Sequence, residues 1–571
     1  MKFEAKLTFL RSKRSIFVPM KIQFRSFFVL LCLSFSVFSE GQNIRLSSDS
    51  LQFGSHTKWE KDSTSFWVLN DRNHAVSVED VNVYGWDLKL MGDSSFSINA
   101  KDSAQVWLSF IPRHNMEYHG QAVIVLKDLG AWNVNLYATG TYPGTYYSTT
   151  FNLSEEALKT ALKTRLGQNY TSLGYNTARD WIYMSIDNEK TNGGGATVNT
   201  LYTAYIGRKV EGYVSRSAAQ TNDNVNTEHS YPQSMFGSAE PMRSDMFHLF
   251  VVDAGVNSRR SNNPFSMVTS PSWTDGGAKY GNGLFEPRDE QKGQSARALL
   301  YFLARYNNAG NFMNAQVFDA NGDLVTQETL MRNWAAQFPP NAKDSLRNED
   351  IYILQKNRNP FIDHPEFLER IHFLGQNSTA PVQRSFETNT TKQTFIHFTG
   401  TSGDTSYYQL CITNTGNTVL PISLSMKNGS AVNFSSSLFN VPAEESVQIM
   451  MSVVRNAASA EQDSLIIKSS AITGYQKAIA VNIDYFSVGL NEEDESGILL
   501  YPNPCNGNFH IANQNDESIS LEVFNAQGVI VMSAVLNQPL NEISLANSCS
   551  GLYFVRITQG HRVLQRHLVV R

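Results

Sequence analysis

Residues 226–234 read NTEHSYPQS, and the reading of the middle of the chain turns on what Glu228 and His229 do there side by side. A carboxylate is a hard oxygen ligand suited to a divalent cation. A neutral imidazole within hydrogen-bond reach of a water can take its proton near neutral pH. Two adjacent residues can therefore supply a metal ligand and a general base from one short segment. In isolation the same pair reads as a solvated loop acid beside a surface or core histidine, so the surrounding sequence has to decide. No cysteine stands in this segment, which leaves nitrogen and oxygen ligands for any metal chemistry.

Working outward, the character from Thr145 to about Phe373 is mixed α+β. LSEEALKTALKTRLG, 153–167, has Ser154 at an N-cap position, Glu155 and Glu156 in the first turn, apolar residues at helical spacing and Gly167 as a stop. FEPRDEQKGQ, 285–294, reads as a helix entry with Asp289 near the cap and Glu290 in the first turn. The helix after it puts Ala296, Leu299, Leu300, Leu303 and Tyr306 on one face. A third helix is expected over roughly 346–355. The connections between them are long and rich in Asn and Gly, as functional segments of compact domains often are.

Farther out, both flanks alternate apolar and polar residues in short runs. SFWVLN, AQVWLSFIP and QAVIVL within 43–142, and YYQLCIT, SVQIMMSVV and KAIAVNIDYF within 380–486, predict two all-β sandwiches. VWLSFIPRHNMEYHGQAVIVL resembles the Ig-like β-domains that bacterial surface proteins append to enzymes. An acidic linker, 487–497, leads to a strand-rich last unit, 498–571. At the other end, Lys21 and Arg25 precede FFVLLCLSFSVF, Phe27 to Phe38, far shorter than the roughly 20 residues of a membrane span. Residues 1–41 therefore read as a secretory signal, with Met20 an alternative start and Ser39 and Gly41 set for cleavage before Gln42. No later stretch is long and apolar enough to span a bilayer.

At 571 residues, with 41% hydrophobic and 17% charged residues, several globular domains are expected. The net charge of -5 gives the whole chain no general affinity for polyanions. Without Cys32 of the signal, Cys411, Cys505 and Cys549 remain. An odd number excludes a disulfide framework and allows one bridge, for which Cys505 and Cys549 are the nearer pair.

Four blocks belong together: NTEHSYPQS, SDMFHLFVVDAGVNSRRSNNPF (244–265), FEPRDEQKGQSARALLYFLARY (285–306) and RNEDIYILQKNRNPFIDHPEFLERI (347–371). In order and spacing they resemble the bacterial endonuclease I family, secreted or periplasmic nucleases of the ββα-metal type. The resemblance spans residues 146–373. It implies an α+β nuclease domain in which Glu228 and Asn257 are metal ligands, His229 is the general base, and one divalent cation, Mg2+ before Ca2+ or Mn2+, is the cofactor. The substrate would be DNA, RNA or both. Asn257 has the rival reading of a turn residue. Arg260 is expected either to hold a phosphate as a bidentate donor, the reading we favour, or to pair with Asp253. His364 in NRNPFIDHPE offers a second metal ligand or, in keeping with Pro360 and Pro365, a fixed chain after the last helix. Two positions depart from the family pattern: Phe247 where a histidine is usual, and Arg243 where some members carry an acid. The arginine that other members bring from a cysteine-rich insertion has no counterpart.

Residues 147–373 hold 22 Lys and Arg against 24 Asp and Glu, so phosphate contacts must come from local clusters such as Arg259 and Arg260. Nothing resembles a recognition helix, which predicts little sequence specificity. YPNPCNGNFHI, VFNAQGVIV and SGLYFVRITQGHRVLQRHLVVR resemble the C-terminal sorting domain of the type IX secretion route, implying its machinery as a partner and export through the periplasm to the medium or the cell surface. The sequence thus predicts a multidomain, monomeric secreted nuclease. Its rival is a surface adhesin that binds nucleic acid without cutting it. A second metallohydrolase reading is disfavoured by the lack of a second Asp and His cluster.

Overall fold

The computed structural model describes residues 44–306, 324–389, 395–401, 405–454, 461–486, 498–513, 518–545, 550–560 and 562–571. The predicted signal, the acidic linker and Cys549 lie outside them.

The expected alternation builds the first flank. Along Asp62–Asn70, Phe66 and Val68 turn inward while Trp67 is exposed, because successive strand residues face opposite ways. This strand joins Ile44–Leu46, Ser103–Phe110 and Leu88–Met91 in one sheet. Gly130–Thr141, Glu117–Leu126, Val76–Tyr84 and Phe96–Ile98 lie in a second sheet, and Phe66, Leu108 and Phe110 of the first share a core with Ile124, Val134 and Leu136 of the second.

The second flank is not separate from the first. Thr405–Asn414 pairs antiparallel with Ser446–Val454 and also meets Gly130–Thr141 in parallel, Gln409 opposite Gly130. A nine-stranded sheet therefore runs through both regions, although the whole central region lies between them in sequence. Gln409 N donates to Leu129 O at 2.9 Å and Tyr84 Oη to Glu387 Oε2 at 2.9 Å. Gly130 is required at the seam: its φ is +106°, and a Cβ there would stand 2.1 Å from Gln409 O. Cys411 is buried beneath it with Val123, Val125 and Ala131.

The central region packs helices around Asp289–Tyr306, whose residues are buried on nearly every side. Its Arg305 pairs with buried Asp245, which also accepts hydrogen bonds from Tyr301 Oη and Tyr306 Oη at 2.8 Å. The helix Glu155–Gly167 begins where expected, but Ser154 makes no side-chain cap. The helix predicted from about 346 starts earlier, at Ala342, because Asn341 and Asp344 form a capping box. A further helix, Leu324–Gln337, was not anticipated.

The His364 block ties this region to the first flank. The His364 ring stacks on Tyr142 with centroids 3.5 Å apart, Lys58 Nζ lies 2.6 Å from Glu366 Oε1, and Arg370 donates to Asn115 Oδ1 at 2.9 Å. This is the chain-fixing role. No group of three His, Cys, Asp or Glu side chains suited to a metal occurs among the described residues.

The last unit packs a three-stranded against a four-stranded sheet. Cys505 is buried in that core, and the expected bridge from it to Cys549 lies outside the described residues. Its backbone exchanges hydrogen bonds of 2.9 Å with the final strand, to Val569 O and from Arg571 N, which fixes the residue's place there.

Candidate active site

The strand Val225–His229 pairs antiparallel with Leu249–Asp253, placing Glu228 opposite Phe250 and His229 opposite Leu249. The helix Ala254–Arg260 follows at once, because Asp253 caps it by accepting from Gly255 N at 2.9 Å and Val256 N at 3.2 Å. Asn257 and Arg260, three residues apart, share a helix face. Glu228, His229 and Asn257 line one cleft of about 250 Å³ with Tyr175 and Asn226. Asn257 thus lies inside a helix rather than in a turn.

Glu228 is buried, and its Oε1 accepts from Tyr205 Oη and from Arg260 Nη1, both at 2.8 Å. Burial pushes its carboxyl above the usual carboxylate range, against the pull of Arg260 and Tyr205. An added cation would favour the charged form, so Glu228 suits a metal ligand. Asn257 adds an amide residue to the same cleft.

Arg260 lines the same cleft, with its side chain held by protein partners. Its side chain is only 1% exposed. Besides Glu228 it reaches His229 O at 3.2 Å and Ser230 O at 2.8 Å, and it stacks over Phe265. Nor does it pair with Asp253, which Arg208 holds at 2.9 Å. Its guanidinium braces the Glu228 carboxylate and the turn after His229.

His229 Nε2 lies 3.0 Å from Arg243 O. A carbonyl only accepts, so Nε2 carries the hydrogen and Nδ1 keeps the lone pair. Burial and then the neighbouring His248 hold the imidazole down to about 3, so it is neutral at physiological pH. Its ring stacks on Tyr175 at 5.3 Å.

The two departures from the family pattern fall differently. Phe247 is a core residue against Tyr301, 4.7 Å between centroids, and does not line the cleft. Arg243 orients His229 through its carbonyl, a role independent of side-chain type. Sequence reasoning missed Tyr205, Tyr175 and His248, which come from distant segments. The adjacency of His248 to Phe247 was the available sign.

A family model described as Endonuclease I matches residues 154–366, and one described as Secretion system C-terminal sorting domain matches residues 499–571. An extracellular ribonuclease of Bacillus amyloliquefaciens is 32% identical over 237 residues, covering 40% of this chain and 78% of that protein. The chain belongs to the endonuclease I family. An extracellular deoxyribonuclease of Aeromonas hydrophila is 28% identical over 212 residues, 29% of this chain and 86% of that one. This member of the endonuclease I family is a secreted or cell-surface nuclease: a multidomain, strand-rich protein with a helix-containing nuclease domain and a sorting domain. Among the described residues, no helix is long and apolar enough to cross a membrane.

Proposed function

We propose that this nuclease is a metal-dependent, largely sequence-nonspecific endonuclease of the ββα-metal type that hydrolyses phosphodiester bonds of extracellular DNA, RNA or both. The observation that supports it best is the common cleft of Glu228, His229 and Asn257 on a strand, strand and helix unit. Ribonucleases and deoxyribonucleases among its relatives support a site indifferent to the sugar.

Glu228 and Asn257 would hold one divalent cation, Mg2+ in the first place, with Ca2+ or Mn2+ as substitutes. Two oxygen ligands leave room for the waters and the substrate phosphate that Mg2+ retains. When bound, the cation offsets charge on the phosphoryl oxygens and helps the 3′ oxygen leave. His229 takes the proton of the attacking water at Nδ1 as the water oxygen bonds to phosphorus. Arg243 O keeps the ring oriented, and Arg260 keeps Glu228 in place.

The domain reading accompanying this function is a nuclease domain over 146–373, Ig-like sandwiches over 43–142 and 380–486, and a type IX sorting domain over 498–571, acting as a monomer. The test is nicking of supercoiled plasmid by the purified chain with Mg2+ or with EDTA, beside His229→Ala. We expect nicking only with metal, and a loss on the order of 10²–10⁴-fold in the variant. A folded chain inert with Mg2+, Mn2+ and Ca2+, or a fully active variant, would overturn the proposal.

A further inference from the structure

Although the nuclease region carries slightly more acids than bases, its substrate is a polyanion, so some cations must be left for it. Most of its arginines are occupied: Arg208 with Asp253, Arg216 with Asp180, Arg260 with Glu228, Arg305 with Asp245 and Arg347 with Asp187. Of those that form no ion pair, two rest on a residue of the cleft itself. Tyr175, on the cleft wall, has the Arg179 guanidinium carbon 3.9 Å from its ring centre and that of Arg243 4.4 Å away. Arg179 lies one turn along the helix Tyr175–Trp181, whereas Arg243 comes from the segment between the two site strands. Neither pairs with a carboxylate among the described residues. Arg179 Nη2 donates to the neutral Asn176 Oδ1 at 2.6 Å, and the Nε of each arginine is buried without a hydrogen-bond partner.

Like charges gathered on one ring repel, and cation–π attraction offsets this only in part. Burial first, then the charges of Arg216 and Arg243, hold the Arg179 guanidinium below its ordinary value, the tyrosines opposing them. An anion between the two would remove the repulsion. The same Tyr175 ring stacks on His229, so such an anion would sit beside the proposed base.

We propose that Arg179 and Arg243 form a phosphate clamp at the mouth of the cleft, gripping the nucleic-acid backbone beside His229. The proposal rests on the nuclease reading and adds the group that positions the strand. Tyr175 is the shared support, carrying the two guanidinium groups and His229. Arg243 contributes twice, its carbonyl to His229 Nε2 and its side chain to the phosphate, and only the second is lost on substitution.

The experiment measures binding of the full chain to a labelled duplex of about 20 base pairs in EDTA over a salt series, where the slope of log K against log salt counts phosphate contacts. Cleavage with Mg2+ is measured in parallel. Arg179→Gln, Arg243→Gln and the double variant are compared with the Lys variants, with circular dichroism confirming the fold. We expect each Gln variant to flatten the slope by about 0.9 per lost contact and to raise KM more than it lowers kcat, with Lys restoring the slope. Slopes equal to wild type, or a loss confined to kcat that Lys does not restore, would overturn the clamp and leave both arginines as supports for Tyr175. A wild type that cuts while the variants keep its slope overturns the clamp alone. A wild type that neither binds nor cuts overturns the nuclease reading, and the clamp with it.

Discussion

Arg260 holds three acceptors at once, the Glu228 carboxylate and the carbonyls of His229 and Ser230. Removing one partner of a buried ion pair strands the other charge, so Arg260→Ala should destabilise the protein by about 3–5 kcal/mol in urea titration and abolish plasmid nicking. Arg260→Lys should not restore nicking, since one ammonium cannot span three acceptors set for a planar fork. An arginine that served only a phosphate would leave the urea midpoint unchanged. Asn257→Ala should keep the fold and raise the Mg2+ concentration for half-maximal nicking at least tenfold, about 1.4 kcal/mol of lost ligation; an unchanged metal requirement would remove Asn257 from the ligand set. Glu228, His229 and Asn257 could be nominated together because four blocks of sequence resemble one family in order and spacing, and the fold brings the three to one cleft. The pairing of Arg260 with Glu228 was not legible, because Glu228 lies on another element and strand-to-helix contacts leave no mark in the local sequence.

At the scale of elements, the helix Asp289–Tyr306 is fastened to the segment between the two site strands by Asp245. Burial alone would raise that carboxyl, but Arg305, His248 and the tyrosine hydroxyls bring it below its ordinary value. His248 beside it is held down to about 4 by burial, although Asp245 opposes this. Both groups bind fewer protons folded than unfolded, so the sign is common. Stability is complete above about pH 6.5, where an unfolded histidine is neutral, and is lost as pH falls through 4 and below. Urea midpoints at neutral pH and near pH 4 check this, and a midpoint independent of pH would contradict it. This helix was legible because Ala296, Leu299, Leu300 and Leu303 repeat at helical spacing. In Leu324–Gln337 the buried Met331, Trp334 and Ala335 carry the same spacing, but they follow a long Asn- and Gly-containing stretch with no cap to announce a start. The early start at Ala342 is set by the polar pair Asn341 and Asp344, which apolar periodicity does not register.

At the scale of the molecule, the seam at Gly130 joins two regions that sequence reading kept apart. Alternation identifies strands but says nothing about which distant strand each will meet, and a glycine in DLGAW reads simply as a turn residue. Gly130→Ala would set a methyl group against Gln409 O at a positive φ, costing more than about 1 kcal/mol. We expect a new unfolding step and faster protease cleavage near Gln409, with nicking retained; a single transition as in wild type would show that the seam carries no stability. The strand ending at Thr141 and the strand Phe386–Thr388 both belong to the nine-stranded sheet, so the nuclease leaves and re-enters a single slab. For a protein working among extracellular proteases, a nick within the catalytic region would separate two polypeptides in a denaturing gel while the particle itself stayed together, its broken halves clasped by the slab.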